Sequence, residues 1–84
     1  MVNIKMKNKS TPRQGQYLAF IYYYTKIHRF PPAEADFQRY FGLSPSAVYQ
    51  MVPTLEKKGL LKRIPGQARS ASLLLNREHL PDLD

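Results

Sequence analysis

The sequence contains no cysteine, and only six of its 84 residues are acidic. Without cysteine, disulfide bonds and thiolate metal sites are excluded. No apolar run approaches the roughly 18 residues of a membrane span, and the amino terminus lacks the apolar core of a signal peptide. We therefore expect a cytoplasmic protein with no membrane partner.

Groupings of residues that would support catalysis are also missing. No serine or threonine has a plausible base and orienting acid beside it, because the serines fall in predicted caps and turns. The two histidines, His28 and His79, lie far apart in the sequence and have no clustered carboxylates near them. These features predict a protein that is not an enzyme and has neither a metal site nor a cofactor.

What the sequence does have is positive charge. It carries 13 Lys and Arg against 6 acids, a net charge of +7, in which residues 1–75 hold 12 cations against 3 acids and residues 76–84 hold 1 against 3. A chain of this length forms one small domain that buries about 60–65% of its unfolded surface. The charge favours a nucleic acid partner, although an anionic membrane surface or an acidic protein would be attracted by the same field.

The third predicted helix, residues 44–58, has two unlike faces. Ser44 fits the N-cap, Pro45 the first helical position, and Gly59 the end. The helical period groups Ala47, Val48, Met51, Val52 and Leu55 on an apolar side, and Ser46, Tyr49, Gln50, Pro53 and Lys57 on a polar one. The polar side has hydrogen-bonding groups and a cation but no acid. This pattern fits a DNA recognition helix, and on capping and periodicity alone it fits an ordinary surface helix equally well.

The first predicted helix begins at a capping box, with Thr11 as N-cap and Gln14 three residues later. Its apolar face comprises Tyr17, Phe20, Ile21, Tyr24, Ile27 and His28, while Leu18, Tyr22 and Tyr23 lie off that face. This aromatic surplus either flanks a small core or forms a patch for a partner or a second copy. Residues 1–10 precede the helix and are predicted to be a flexible basic arm.

A second predicted helix covers residues 34–41, after Pro31 and Pro32, near which a short strand is expected. Gly42 ends this helix and begins a tight connection to Ser44, which is the geometry of a helix-turn-helix. Residues 60–64 and 71–75 then form two short apolar runs around a turn that contains Pro65 and Gly66. They predict a β-hairpin, and hence the wing of a winged helix.

The predicted fold is therefore an α+β winged helix-turn-helix, with three helices and a C-terminal hairpin, over residues 11–75. The acidic tail, residues 76–84, has three acids and one arginine. Three arrangements are open for it: Leu80 and Leu83 pack on the body, the tail contacts another copy, or it has no fixed structure.

At this point the chain resembles the winged-helix DNA-binding domain of the LexA-type repressors, over about residues 10–75. The shared motifs are the Thr-x-Arg-Gln start of the first helix, the Pro31-Pro32 pair, Gly42, Ser44-Pro45-x-Ala47, Leu55, Lys58-Gly59, Gly66 and Arg69 in the wing, and Leu73-Leu74. The resemblance implies double-stranded DNA as the partner. It also implies that the start of the third helix enters the major groove and that the wing touches the backbone.

By position, the resemblance implies that the base readers are Ser44, Ser46, Ala47, Tyr49 and Gln50. It implies that the phosphate contacts are Lys57, Lys58, Lys62, Arg63 and Arg69. Gln50 is the best single candidate for base readout, because its amide can pair bidentately with adenine.

This sequence departs from the family pattern at several positions. Ser46 stands where an Asn is usual, and Tyr49-Gln50 replace an acidic pair, so we expect a different operator. The turn after Gly42 is one residue shorter, and Pro53 lies inside the helix, where it should bend or loosen it. The family's self-cleaving Ser-Lys domain is not in this sequence, so we expect no self-cleavage by this polypeptide.

The expected function is sequence-specific duplex-DNA binding by a small transcriptional regulator, with a homodimer as a further expectation. Two alternatives remain open. One is a protein–protein interaction module that docks through the tyrosines of the first helix. The other is an RNA or single-strand binder in which those tyrosines stack on bases.

Overall fold

A computed structural model describes residues 10–84, so the predicted basic arm lies outside the described residues except for Ser10. The chain forms helices α1 (Pro12–His28), α2 (Glu34–Phe41) and α3 (Pro45–Lys57), then strands β1 (Leu61–Lys62) and β2 (Ser72–Leu73), and a short 3-10 helix (Arg77–His79). This order confirms the winged helix-turn-helix. Within the described part of the chain, no helix combines the length and apolar character of a membrane span.

Helix α1 begins at the predicted capping box. The Gln14 amide donates to the Thr11 hydroxyl and the Thr11 amide donates to the Gln14 side chain, each over 3.1 Å. These two bonds satisfy donors that the first turn of a helix otherwise leaves unpaired. The helix ends where Arg29 takes a left-handed conformation.

The predicted apolar face of α1 is correct up to Tyr24, which packs against the core, and wrong for Ile27 and His28 at the end of the helix, which are exposed. Tyr17, Phe20 and Ile21 are buried, whereas Ile27 is 71% exposed. Leu18 and Ala19, outside the predicted face, are completely buried. The reason is that α1 is enclosed on more than one side: its aromatic rings pack on α2, while β2 and the C-terminal segment cover other parts of it.

Helices α2 and α3 form the helix-turn-helix. Gly42 ends α2 with a φ of 67°, a left-handed conformation that glycine adopts without steric cost. Ser44 then caps α3, because its Oγ accepts the Ala47 amide at 3.2 Å. Helix α3 buries Val48, Met51, Val52 and Leu55 in the core, as the period predicted.

The strand expected near Phe30, Pro31 and Pro32 is absent from residues 10–84, where β1 and β2 form the whole sheet. The prediction was wrong because Pro31 and Pro32 have no amide hydrogen to donate to a ladder. The Pro31 carbonyl instead accepts a hydrogen bond from the Arg69 guanidinium at 3.3 Å.

The hairpin forms as predicted but with shorter strands. Leu61 pairs with Leu73 and Lys62 with Ser72, in antiparallel register. Beyond Lys62 the ladder stops, and the Ile64 amide donates to the Ser70 hydroxyl instead of to a backbone carbonyl of the other strand. That hydroxyl accepts the Ile64 amide at 2.9 Å and donates to the Gln67 carbonyl at 2.9 Å.

The acidic tail packs on the body, which was one of the three arrangements considered. Leu80 is only 7% exposed and joins the core, with Leu83 packed against it. The Gln16 side chain donates to the Asp82 carbonyl and accepts from the Asp84 amide, each at 2.9 Å. Pro81 lies so close to Gly15 that a Cβ there would be 3.1 Å from its Cγ. The tail therefore covers the amino-terminal part of α1.

Candidate nucleic-acid interface

The first two turns of α3 present the side chains predicted to read bases. Ser46, Tyr49 and Gln50 are all exposed, and their spacing of three and four residues places them on one face of the helix. Tyr49 is 72% exposed. No acid lies in the first turn of α3, so nothing there offsets the positive end of the helix dipole. This face therefore has polar groups and an environment that suits an anionic partner.

The two other predicted readers are less available. The Ser44 hydroxyl caps the helix through the Ala47 amide and lies 3.3 Å from the Ser46 hydroxyl. Ala47 is half-buried and offers only a methyl group. These two residues shape the start of the helix, whereas Tyr49 and Gln50 project from it.

Pro53 follows this surface and does not interrupt α3, which continues to Lys57. Because proline has no amide hydrogen, the Tyr49 carbonyl lacks the usual intrahelical donor four residues later. The next carbonyl, that of Gln50, accepts a hydrogen bond from the Thr54 hydroxyl at 2.9 Å.

The five cations predicted to contact phosphates fall into two groups. Lys57 and Lys62 are exposed and have no ion pair with any residue in the described range 10–84. Lys58 donates to the Gln14 side chain at 2.7 Å. Arg63 pairs with Glu56 at 3.0 Å and lies 4.0 Å from Glu34. Together with Arg69, three of the five cations are thus already balanced or bonded within the chain.

Arg69 is the most engaged of the five cations. Its Nη1 donates to the Tyr24 hydroxyl at 3.1 Å, to the Pro31 carbonyl at 3.3 Å and to the Asp36 Oδ2 at 3.1 Å. Its guanidinium also lies 4.9 Å from the centre of the Phe30 ring. The side chain therefore connects the wing to the end of α1 and the start of α2.

Asp36 is the buried acid at the centre of these contacts, with an exposure of 7%. It accepts the Ala33 amide at 2.7 Å, which caps α2, and pairs with Arg39 at 2.6 Å. Burial alone would raise its pKa. Hydrogen bonds from Ala33 and Tyr24, together with the charges of Arg69 and Arg39, outweigh that effect and lower the pKa of the carboxyl.

Tyr24 was predicted only as part of the apolar face of α1, and Asp36 was not predicted as a site residue. The position of Asp36, three residues after the N-cap Ala33, is a recognisable capping signal. Nothing local to Asp36 indicates Arg69, which lies 33 residues later in the sequence.

No group of three or more potential metal ligands is present in residues 10–84. His28 instead lies against the Tyr24 ring, with the ring centres 4.1 Å apart.

Comparison with known proteins gives the same picture as the geometry. The family model for the LexA DNA binding domain matches residues 7–70. The chain belongs to the LexA DNA-binding domain family. The match includes all three helices, β1 and the hairpin turn up to residue 70 of this LexA-type domain, while β2 and the tail lie beyond it.

Individual relatives agree with this assignment. The LexA repressor of Thermosipho melanesiensis is 35% identical over 72 residues, which are 86% of this chain and 36% of the relative. The LexA repressor of Pseudomonas aeruginosa strain LESB58 is 37% identical over 62 residues, 73% of this chain and 30% of the relative. That of Pseudothermotoga lettingae is 36% identical over 72 residues, 86% of this chain and 35% of the relative. The LexA-type domain thus spans about a third of the length of these curated relatives.

Proposed function

We propose that this chain binds duplex DNA in a sequence-specific manner and acts as a transcriptional regulator in the cytoplasm. The start of α3 would enter the major groove, and the wing would contact the DNA backbone. The observation that carries this proposal is the exposed face of Ser46, Tyr49 and Gln50, which contains no acid. The repressor names of the relatives support the same function.

Gln50 is the residue on which base readout would depend most. It is exposed, and an amide can donate to and accept from one adenine at the same time. Tyr49, beside it, would pack on a thymine methyl group or a sugar. Ser44, Ser46 and Ala47 would make shorter contacts near the start of the helix.

Phosphate contacts would come first from Lys57 and Lys62, because neither is committed to an ion pair in the described residues. Lys58 and Arg63 would contribute by exchanging an internal partner for a phosphate. A single module of this size buries only about 600–1,000 Å² on DNA, so we further propose that two copies bind adjacent half-sites.

The two alternative functions relied on the tyrosines of α1, and the structure gives those tyrosines internal partners. Arg77 donates to the Tyr23 hydroxyl at 2.6 Å, and its guanidinium lies 5.4 Å from the ring centres of both Tyr22 and Tyr23. Both side chains are half-buried. This packing accounts for the aromatic surplus without a protein or single-stranded partner.

The experiment that tests the function is selection of bound duplexes from a random pool, followed by titration of the selected duplex and a scrambled control across salt concentrations. We expect a motif that binds at least ~10³-fold more tightly than the control. A palindromic motif with half-sites one helical turn apart would support the dimer. Equal binding of all duplexes, lost as salt rises, would contradict sequence-specific regulation.

A glutamine pair tests the readout residue. Gln50→Ala should reduce discrimination at one base position by about 1–3 kcal/mol, because it removes a bidentate pair. Gln67→Ala makes the same chemical change at an exposed position of the wing and should leave base preference intact. If both variants keep the wild-type motif, Gln50 is not a base reader.

A further inference from the structure

The wing loop, residues 63–71, is poorly supported by its own strands. The ladder beneath it has only two residue pairs, and a hairpin of that size does not hold a fixed direction by itself. Ala71, at the end of the loop, packs on the core, but apolar packing does not support the rest of it, because Ile64 is 55% exposed and residues 65–69 are exposed. Some other contact must hold the loop against the helices.

Arg69 makes that contact. Among the described residues, every hydrogen bond that leaves the segment 64–70 for a helix or an interhelical loop comes from the Arg69 guanidinium. The other hydrogen bonds of this segment, made by Ile64, Gln67 and Ser70, close the loop on itself. Between residues 64 and 70 the loop is therefore hydrogen-bonded to the body through one side chain, while Arg63 at its base pairs with Glu56 of α3 and lies 4.0 Å from Glu34 of α2.

The backbone at Arg69 supports the same conclusion. Its φ is 54°, a left-handed conformation that residues with a Cβ adopt infrequently. Such a conformation persists where surrounding contacts hold it. Here it directs the side chain from the wing to Asp36, which belongs to the first turn of α2.

We propose that Arg69, held by Asp36, is a positioning residue: it orients the wing relative to the helix-turn-helix so that other wing groups reach the DNA backbone, and it does not itself contact a phosphate. This inference rests on the proposed duplex binding. It changes the role expected for Arg69 from the family resemblance. We call the contacts of Arg69 with Asp36 and Tyr24 the clasp. Because Asp36 belongs to α2, which packs on α3, the clasp also sets the distance between the wing and the recognition helix.

Asp36→Asn gives the sharpest test, because the two roles predict opposite signs. The substitution removes a negative charge. If only the electrostatic field of the protein matters, the more positive variant should bind DNA slightly more tightly. If Arg69 positions the wing, releasing it from Asp36 should weaken duplex affinity by about tenfold. Glu78→Gln is the control, because it makes the same charge change in the C-terminal segment, where Glu78 lies beside His79 and not beside the wing, and it should not weaken binding.

Three further variants complete the test. Arg69→Ala should lose about as much DNA affinity as Asp36→Asn. The double variant should lose no more than either single variant, because the two substitutions break the same contact between Arg69 and Asp36. Arg69→Lys should not restore binding, since an ammonium lacks the guanidinium fork, although it would serve as a phosphate contact. Tyr24→Phe removes one hydroxyl of the clasp while leaving the cap of α2 intact, and should give a smaller loss of the same kind.

Amide hydrogen exchange without DNA makes the clasp testable separately from DNA binding. We expect faster exchange in residues 63–71 of Asp36→Asn and Arg69→Ala, by a larger factor than in the α1 core amides, which report only the change in global stability. Unchanged wing exchange would overturn the proposal. The proposal would also be overturned if Asp36→Asn bound DNA as tightly as the wild type or more tightly, while Arg69→Ala lost affinity and Arg69→Lys restored it. If the wild-type protein binds no duplex while wing exchange responds as expected, the proposed function fails and the clasp stands as a structural contact only.

Discussion

At the scale of single residues, Asp36 is expected to make folding stability depend on pH. Its pKa is lower in the folded protein than that of an ordinary aspartate, despite the burial that opposes this shift. A carboxyl with a lowered folded-state pKa stabilises the fold above its unfolded pKa, which is about 3.9. That stabilisation is lost as the pH falls through the folded-state value.

We therefore predict that Asp36→Asn lowers the free energy of unfolding by about 1–3 kcal/mol at neutral pH, because it removes a charged hydrogen-bond acceptor. Urea denaturation from pH 7 to pH 3 measures the effect. The wild-type and variant curves should converge as the pH falls below about 4, because the unfolded chain takes up a proton at Asp36 there before the folded protein does. Glu34→Gln, at an exposed position, should show neither effect. A difference that stays constant with pH would contradict this assignment.

At the scale of elements, α3 combines the proposed reading face with an internal proline. The helix continues past Pro53 because Val52 and Leu55 on either side of it are buried in the core. Packing of an apolar face supplies most of the stability of a helix in a protein, so the loss of one backbone hydrogen bond is tolerated. The predicted effect of Pro53 is therefore confined to the Tyr49 carbonyl, which lacks a backbone donor, and the helix continues to Lys57.

We predict that Pro53→Ala raises the free energy of unfolding by about 1–2 kcal/mol, since it restores the donor to Tyr49 and the gain exceeds the added entropy of the unfolded chain. Pro45→Ala is the matched control. Pro45 occupies the first helical position, where no donor is needed, so its replacement should leave stability unchanged or slightly lower. Thermal denaturation of both variants tests this, and an equal response of the two would show that the internal proline is not costly.

At the scale of the whole molecule, the distribution of charge matters more than the total of +7. Arg63 and Arg69 are neutralised by acids of α2 and α3, whereas Lys57 and Lys62 keep their charge at the surface. The electrostatic contribution to DNA binding should therefore come from fewer cations than the composition indicates.

We predict that Lys57→Ala weakens binding to selected and scrambled duplexes by the same factor and lowers the log–log salt slope by about one unit, because one phosphate contact is lost. Lys26→Ala removes the same charge from α1, where Lys26 lies over the Tyr22 ring, and should leave the slope unchanged. Titrations at several salt concentrations measure both slopes. An equal change in the two variants would mean that only the general field was altered.

The sequence by itself determined the features that depend on neighbours within a few residues. The capping box of Thr11 and Gln14, the Ser44 cap, the left-handed Gly42 and the buried face of α3 were all predictable, because each uses interactions across one turn of helix. These local signals were sufficient for the winged helix and for the family resemblance.

The tertiary structure alone decided which residues meet across the chain. Arg69 contacts Asp36 and Tyr24, Lys58 contacts Gln14, and the tail covers α1, over separations of 33 to 68 residues. No periodicity encodes such pairs, since they arise from the way the helices pack. For the same reason, packing from more than one side buried Leu18 against the predicted pattern and brought Arg69, an expected phosphate ligand, into contact with Asp36.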